Sequence, residues 1–388
     1  MSKIVVIHII TKLELGGAQQ NTLYTVSHLN REKFEPYLIC GKGGVLDEEA
    51  SYSGIPIFFV KELKRKIHPI FDFVAFLKIG YFIRQLKKRH LGSPIIVHTH
   101  SSKGGIVGRL AAYLTGLSII IHTYHGFGFH DFQNRFIKRF YILIEKVIAK
   151  ITRQAVFVSR NNADRALELG LIQDVPLLIR SGISFKTFRN HRPGNSNIRN
   201  ELNLLSTTPL VTMIACFKPQ KAPLDFILTA NHVLKKAPNT HFLLIGDGDL
   251  RPAIEAEINK LELKQSLTLL GWRRDVPEIL ASSNIFVLTS LWEGLPRVLI
   301  EARLSSLPIV TTAIEGADEI VENERTGYIV PKKDYLALAE KVLYLLENPS
   351  LAKQMGKEGS HVPNEYDIDE MVLRQEKLYL ELIEKERR

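Results

Sequence analysis

The chain has 388 residues, 45% hydrophobic and 24% charged, which excludes a disordered chain and is long enough for two domains of ordinary size. Its two cysteines, Cys40 and Cys216, exclude a disulfide framework and favour a reducing compartment. Residues 1–190 carry 27 Lys and Arg against 13 Asp and Glu, a net charge of +14, whereas residues 191–388 carry 24 against 28, a net charge of −4, so the first half is expected to meet an anionic partner.

The N-terminus leads directly into an apolar run without the features of a signal peptide. The longest apolar stretch, residues 67–83, is interrupted by Asp72 and Lys78, whose charges are too costly for a bilayer span. We therefore expect a cytoplasmic protein that does not cross a membrane.

Strands and helices are predicted to alternate through the first half. A strand at residues 3–11 is followed by a loop in which Gly16 and Gly17 would let a ligand approach a helix that starts at about Ala18. Further strands are predicted at residues 37–41, 56–60, 94–98, 118–124, 155–159 and 177–180. This alternation predicts a parallel sheet covered on both faces, with ligands beyond the carboxyl ends of the strands, where His100, Gly104 and His125 fall.

Basic clusters occur beside apolar segments in this half. Residues 61–66 and 84–90 flank a segment rich in Phe and Ile, and a second helical segment combines aromatic residues with six basic ones: Arg135, Lys138, Arg139, Lys146, Lys150 and Arg153. Such clusters fit an anionic lipid surface, and they fit equally well the solvated basic face of a helix packed on a sheet. Nucleic acid is not expected, because the chain has no groove-reading motif, zinc spacing or RNP-type aromatic pair.

A polar segment rich in Pro, Gly and Asn, residues 189–200, is predicted to be a linker. A second alternation follows, with strands at 210–215, 241–246, 267–270, 284–290, 308–312 and 327–330 and an amphipathic helix from Tyr366 to the end. Two doubly wound halves joined by one linker predict a ligand cleft between them.

The stretch from Thr289 to Ala302 carries the most chemistry. A buried strand passes through Glu293-Gly294 into a helix whose first turn is predicted to hold Pro296, and the free N–H groups of such a turn suit a phosphate. Glu293 and Glu301, eight residues apart, are placed to accept hydrogen bonds from the hydroxyls of a sugar and of a ribose. The pattern indicates a nucleotide sugar, although an ordinary strand-turn-helix with two solvated carboxylates would show the same spacing.

Taken together, these segments resemble the family 4 retaining glycosyltransferases of the GT-B fold, in which two doubly wound parallel-sheet domains face a cleft. The resemblance covers nearly the whole chain and is strongest where six segments follow the order and spacing of the family: 217–221 (FKPQK), 244–248 (LIGDG), 271–277 (GWRRDVP), 290–296 (SLWEGLP), 301–302 (EA) and 327–331 (GYIVP).

The resemblance implies a role for each matching residue. In the second half, Lys221 would contact the donor diphosphate, Glu301 the ribose hydroxyls, and Glu293 with the backbone at Gly294-Leu295 the transferred sugar and its phosphate. The nucleobase would lie near Trp272-Arg273. In the first half, Gly16-Gly17 would lie under the donor phosphates, His125 near the sugar and the acceptor hydroxyl, and His100 and Lys103 on the acceptor side.

The domains implied are an acceptor-binding domain at residues 1–188, joined by the C-terminal helix 366–388, and a nucleotide-sugar-binding domain at 201–365. One position departs from the family pattern, because Cys216 stands where many members have an Arg. We expect Lys218 to supply that charge, although a point charge cannot bind phosphate bidentately.

No cofactor or metal is expected. The resemblance implies a front-face reaction in which a diphosphate oxygen takes the proton of the acceptor, with Lys221, Lys218 and helix-terminal amides stabilising the leaving group. Two metal sites remain as alternatives: Asp247-Gly-Asp249, which also suits a simple turn, and a zinc site of His98, His100 and His125, residues that also suit sugar binding or the core.

The sequence thus predicts a cytoplasmic glycosyltransferase, peripheral on the inner face of the plasma membrane. It would move a hexose or N-acetylhexosamine from a nucleotide donor, UDP-linked in preference to GDP-linked, to a lipid-diphosphate-linked sugar or glycan in surface-polysaccharide or lipopolysaccharide assembly. The alternatives are a nucleotide-sugar epimerase or hydrolase of the same fold, and an inactive nucleotide-sugar-binding subunit.

Overall fold

The computed structural model describes residues 2–190 and 198–387, and the chain divides into two compact units. The first unit contains residues 1–182 and 368–388, and the second contains residues 183–367. Most of the segment predicted as a linker, residues 189–200, lies outside the described residues, which omit 191–197.

The first unit is built on a parallel sheet in the order β3-β2-β1-β4-β5-β6-β7. Its strands are β1 (Ile4–Lys12), β2 (Phe34–Gly41), β3 (Ile57–Phe59), β4 (Ile95–His100), β5 (Ile120–Tyr124), β6 (Gln154–Phe157) and β7 (Leu177–Leu178). Its helices before residue 182 are α1 (Gly17–His28), α2 (Asp47–Ser51), α3 (Pro69–Arg89), α4 (Ser102–Leu114), α5 (Arg135–Ala149) and α6 (Arg160–Glu168).

The second unit repeats this architecture with the parallel order β10-β9-β8-β11-β12-β13. Its strands are β8 (Leu210–Ile214), β9 (His241–Ile245), β10 (Leu267–Gly271), β11 (Ile285–Leu288), β12 (Ile309–Thr312) and β13 (Gly327–Val330). Its helices are α7 (Phe185–Arg189), α8 (Ile198–Glu201), α9 (Pro223–Leu234), α10 (Arg251–Lys260), α11 (Val276–Ala281), α12 (Arg297–Leu304), α13 (Tyr335–Glu347) and α14 (Pro349–Gly359), with short 3-10 turns at Pro219–Lys221 and Asn364–Tyr366.

The last helix, α15 (Ile368–Arg387), belongs to the first unit. Its apolar face packs on one face of the first sheet, where Met371, Val372, Tyr379 and Leu382 share a buried cluster with Val6. The opposite face of the sheet buries Val5, Ile7 and Ile9 against α3 and α4. Because successive residues of β1 point to opposite faces, the continuous apolar run of β1 reflects a strand buried on both sides.

Each sheet has one point at which the strand order reverses. In the first sheet, β1 leads to β2 on one side and has β4 on the other, and in the second sheet β8 lies likewise between β9 and β11. The loops that leave neighbouring strands at such a point diverge to opposite faces and open a crevice at the carboxyl ends. Gly16 and His100 lie at the ends of β1 and β4, and Lys221 and Glu293 follow β8 and β11. His125 and Trp272 follow the next strands outward, β5 and β10.

Among the described residues, no helix combines the length and the apolar composition that a membrane crossing requires.

Candidate functional site

The turns that follow β8 and β11 are joined by hydrogen bonds. The hydroxyl of Thr289 donates to the backbone oxygens of Lys221 at 2.8 Å and Ala222 at 2.9 Å, and the Leu291 N–H donates to the Gln220 carbonyl at 2.8 Å. These contacts close the 3-10 turn onto the strand end, so the side chains of residues 218–222 and 289–296 share one location in the second unit.

A salt bridge between Lys221 and Glu293 lies at the centre of this location. The Ser290 hydroxyl donates to the same carboxylate oxygen of Glu293 at 2.8 Å, and the Gln220 amide donates to the other at 3.4 Å. Lys221 and Glu293 were predicted to take separate roles, and the structure brings them into direct contact. Gln220 and Ser290 are site residues that the sequence did not indicate.

Glu301 is the fifth residue of α12, which begins at Arg297 with Pro296 as its N-cap. The prediction that Pro296 lies in the first turn is therefore wrong by one position, and Glu301 lies about one turn into the helix. Burial raises the pKa of Glu301, and the nearby charges of Arg297 and Lys221 oppose this rise. A carboxyl at this depth retains strong capacity for hydrogen bonds with ligand hydroxyls.

The turn at Gly294-Leu295 is packed against the loop after β12. Gly316 has a φ of +78°, and a Cβ there would lie 3.3 Å from the Gly294 carbonyl oxygen. The Thr312 hydroxyl donates to the Ser290 carbonyl at 2.5 Å. Glycine at 316 thus permits both the left-handed backbone and the close approach that supports the Glu293 turn.

The two residues predicted near the nucleobase differ in their surroundings. Trp272 is 45% exposed. Arg273 is engaged by two carboxylates, Glu201 at 2.8 and 3.0 Å and Asp275 at 2.7 and 2.8 Å, and these bonds raise the pKa of its guanidinium. Arg273 therefore holds the turn in place, and Trp272 offers an open aromatic surface.

The alternative metal motif at Asp247 and the lysine expected to replace a family arginine both lie in turns of the second unit. The Asp247 carboxylate accepts hydrogen bonds from the Gly248 N–H at 2.7 Å and from Arg251 at 2.8 Å, contacts that suit a turn. Lys218, like Cys216, is partly exposed and precedes the 3-10 turn that carries Lys221. Both lysines thus belong to the segment that leaves β8.

In the first unit, Gly16 is the N-cap of α1, with extended backbone and no side-chain cap. A Cβ at Gly16 would lie 2.8 Å from the Gln19 side chain, so glycine keeps this helix start open. The side chain of Lys103, predicted on the acceptor side, is 12% exposed, and its ammonium donates to Asp72 at 2.7 Å and to the Lys66 carbonyl at 2.6 Å.

His100 and His125 lie at the carboxyl ends of β4 and β5, as predicted. The His100 ring is buried, with its Nδ1 3.1 Å from His125 Nε2 and its Nε2 3.0 Å from His8 Nδ1. His8 was not singled out from the sequence, because a histidine inside an apolar strand resembles an ordinary core residue. Its signal was the pairing of β1 with β4, which places His8 beside His98.

The alternative zinc site differs from the arrangement found. Ring nitrogens of His8, His98 and His100 lie within 4.8 Å of one another, so His8 takes the position predicted for His125. His98 Nδ1 lies 2.6 Å from the Tyr379 hydroxyl and Nε2 lies 2.7 Å from the Thr123 hydroxyl. A small cavity beside these rings is lined by polar and apolar side chains, among them Asn21, His125, Val156, Met371 and Gln375.

Two family models cover most of the chain. Residues 15–184 match the model described as Glycosyltransferase Family 4, and residues 195–362 match the model described as glycosyl transferases group 1.

Curated relatives agree with these models. The chain is 30% identical over 386 residues to an Escherichia coli protein named UDP-Gal:alpha-D-GlcNAc-diphosphoundecaprenol alpha-1,3-galactosyltransferase, covering 98% of each. It is 28% identical over 336 residues to a Campylobacter jejuni protein named N,N'-diacetylbacillosaminyl-diphospho-undecaprenol alpha-1,3-N-acetylgalactosaminyltransferase, covering 84% of this chain and 86% of the relative.

Among solved structures, Anabaena HepE in complex with UDP and glucose is similar with a TM-score of 0.82 at 14% identity. The match covers 98% of this chain and 100% of that structure. At this identity the likeness establishes the fold alone.

Proposed function

Since the chain belongs to the family 4 glycosyltransferases of the GT-B fold, we propose that it transfers a hexose or N-acetylhexosamine from a UDP-sugar to a sugar on a lipid diphosphate. The joined turns after β8 and β11 carry this proposal, because Lys221, Glu293 and Glu301 converge there. The ammonium of Lys221 suits a diphosphate, and the two carboxyl groups can accept hydrogen bonds from sugar hydroxyls. Together they suit a donor that combines a diphosphate with sugars.

The names of the relatives support the donor class proposed. The E. coli relative is named for UDP-galactose and the C. jejuni relative for N-acetylgalactosamine transfer, and both names specify an α-1,3 product on a diphosphoundecaprenol-linked sugar. We therefore place galactose and N-acetylgalactosamine first among the sugars to be tested. The α products accord with the retaining course that the family resemblance implies.

The reaction proposed needs no metal. Lys221, Lys218 and the N–H groups at the start of α12 would stabilise the departing diphosphate, the role that a divalent cation fills in other enzymes. Lys221 is paired with Glu293, so an incoming diphosphate would compete for its ammonium. His125 would lie near the sugar and the acceptor hydroxyl.

The experiment is a measurement of UDP or GDP release from a panel of nucleotide sugars, with and without a bacterial lipid extract and with EDTA. Release that requires one UDP-sugar and the lipid, and that persists in EDTA, is expected. Glu301→Ala should abolish it. Release without lipid would favour an epimerase, a hydrolase or a water-soluble acceptor, and loss in EDTA would overturn metal independence.

A peripheral position at the inner face of the plasma membrane is the second part of the proposal. On α5 an exposed apolar stripe at helical spacing is formed by Phe136, Phe140, Leu143 and Val147, and exposed basic residues lie along one flank of it: Arg135, Arg139, Lys146 and Lys150. A helix that presents aromatic rings and cations to solvent suits an anionic lipid surface.

Neighbouring helices extend this surface. On α3, Ile70, Phe73, Leu77 and Tyr81 form a similar exposed stripe, and α4, which packs against α3 and α5, exposes Tyr113 and Leu114. Three adjacent helices with exposed apolar residues exceed the scattered exposure usual on a soluble surface. A lipid-linked acceptor resides in such a membrane, so docking there would bring the first unit to its substrate.

Flotation with vesicles of phosphatidylglycerol and phosphatidylcholine tests this part. The double variant Phe136→Ser/Phe140→Ser replaces rings that are 79% and 60% exposed, and it should weaken vesicle binding about tenfold or more. Leu205→Ser, at a residue that is 73% exposed in the second unit, is the matched control and should float like the wild type. Equal binding by all three proteins would overturn the membrane surface.

A further inference from the structure

A chain of hydrogen-bonded side chains runs from α15 through the buried face of the first sheet to His125. The Gln375 amide donates to the Thr25 hydroxyl at 3.4 Å and accepts from the Tyr379 hydroxyl at 3.2 Å. The Tyr379 oxygen lies 3.3 Å from His8 Nε2, and the chain continues through His8 and His100 to His125. These hydrogen bonds thus connect the last helix to His125, which was predicted as a site residue of the first unit.

The donor and acceptor at each of these hydrogen bonds follow from the first residue, Gln375. Gln375 uses its NH₂ group on Thr25, so its oxygen faces Tyr379 and can only accept. Tyr379 has one proton, which it donates to Gln375. Its other neighbours, His8 Nε2 and His98 Nδ1, must therefore both carry protons.

The proton position on one histidine fixes that on the next, because each buried ring is neutral. Burial lowers the pKa of His8 to about 3 and holds the pKa values of His98 and His100 well below their usual range. A neutral ring with its proton on one nitrogen accepts at the other. His8 therefore accepts at Nδ1 from His100 Nε2–H, and His100 accepts at Nδ1 from His125 Nε2–H.

The same geometry argues against a metal ion in the cluster. All six ring nitrogens of His8, His98 and His100 already face a partner in the protein, and the directions above satisfy every one of them. A metal ion would require three of these bonds to be given up.

We propose that Gln375, Tyr379, His8 and His100 are positioning residues that hold His125 in the tautomer with its proton on Nε2. When His125 is neutral, its Nδ1 is then the acceptor nitrogen, suited to take a hydrogen bond from a sugar or acceptor hydroxyl. The inference deepens the proposed function, since it rests on a role for His125 in transfer. Its structural part, the tautomer, can be measured without any activity.

Tyr379→Phe is the decisive change, because it removes the hydroxyl and keeps the ring that packs edge-on against Phe34 and His98. Gln375→Leu is the second variant and removes the terminal acceptor without altering a histidine. Thr123→Val breaks a bond to His98 that lies off the path to His125 and is the control.

The readout is long-range ¹⁵N–¹H NMR on the full chain labelled at histidine, with the His125 signals assigned from His125→Gln. The wild type and Thr123→Val should show the His125 proton on Nε2. Tyr379→Phe and Gln375→Leu should shift His125 to a mixture or to the other tautomer. In the transfer assay these two variants should lower kcat about tenfold with less than a twofold change in the KM for donor.

Three results would overturn the inference. They are a wild-type His125 protonated at Nδ1, a tautomer that neither variant alters, and stoichiometric zinc with histidine shifts typical of coordination. A changed tautomer with unaltered kcat would overturn the role of these hydrogen-bonded residues in transfer. Failure of the proposed function would appear separately, as a wild type that releases no nucleotide from any donor.

Discussion

At the scale of single residues, the Lys221–Glu293 salt bridge is the feature of the candidate site that sequence reasoning could not anticipate. Both residues were identified from the motifs around them, and the motifs lie 72 positions apart. Their contact depends on Thr289 and Gln220, which join two turns through backbone groups. Motif spacing identifies residue types, and the pairing of side chains comes from how the loops meet.

Substitutions of Lys221 and Glu293 should affect stability and activity differently. Lys221→Met leaves the largely buried Glu293 without its cation, so we expect a loss of about 1–3 kcal/mol in the free energy of unfolding and a fall of about 10²–10³ in kcat. Adding Glu293→Gln should restore most of the stability and none of the activity. Lys260→Met, at an exposed lysine paired with Glu257, is the control for both measurements. Urea unfolding and nucleotide release measure the two effects in each variant. Recovery of activity in the double variant would contradict the role proposed for this pair in transfer.

The carboxyl of Glu301 should make stability depend on pH. Burial raises its pKa above the ordinary value of 4.5, so the folded chain holds this proton more tightly than the unfolded chain does. The free energy of unfolding therefore falls as pH rises from about 4.5 through the folded value, and above both values the full loss is present. Glu301→Gln should gain stability relative to the wild type between pH 5 and 7.5. Urea unfolding at the two pH values measures this difference.

Glu340→Gln, at an exposed residue of α13, is the matched control substitution. A Glu301→Gln protein that lost stability relative to the wild type as pH rose would show that the carboxylate is favoured in the fold.

At the scale of elements, the strand and helix pattern was largely predictable, because β1 and β11 are continuous apolar runs between turn residues. The C-terminal amphipathic helix was also predicted, and it begins at Ile368, two residues after the expected start. The order of the strands could not be derived from periodicity. For that reason the contact of His8 with His100, which needs β1 beside β4, appeared only in the structure.

A buried salt bridge determines how α5 is held. Arg109 of α4 donates to Glu145 of α5 at 2.8 Å, and both side chains are almost fully buried. Arg109→Met should cost about 3–5 kcal/mol, because it leaves Glu145 buried and unpaired. The double change Arg109→Met/Glu145→Leu should regain most of this loss.

Lys138→Met breaks a more exposed salt bridge with Asp131 and should change the free energy of unfolding by no more than about 1 kcal/mol. Thermal or urea unfolding distinguishes these cases. If the Arg109 and Lys138 variants lost equal stability, the buried pair would not be what holds α5 on its unit.

At the scale of the whole molecule, the two halves differ in charge and in the candidate features that each contains. The basic half contains the exposed helices, and the other half contains the joined turns with Lys221, Glu293 and Glu301. This division was visible in the sequence, because charge and motifs are linear properties of the chain. The assignment of α15 to the first unit shows that the units are not linear segments.

A ligand should therefore act on one unit selectively. UDP binding to the second unit alone would stabilise it by about 2.7 kcal/mol at a hundredfold excess over Kd. Hydrogen exchange should slow in peptides that cover residues 216–222 and 289–304, which contain the phosphate and ribose contacts proposed. Peptides of the first sheet such as residues 4–10 should exchange at an unchanged rate, and Glu301→Ala should remove the effect at matched UDP concentration. Protection confined to the first unit would show that the nucleotide binds the other half of the chain. It would also contradict the roles proposed for Lys221 and Glu301.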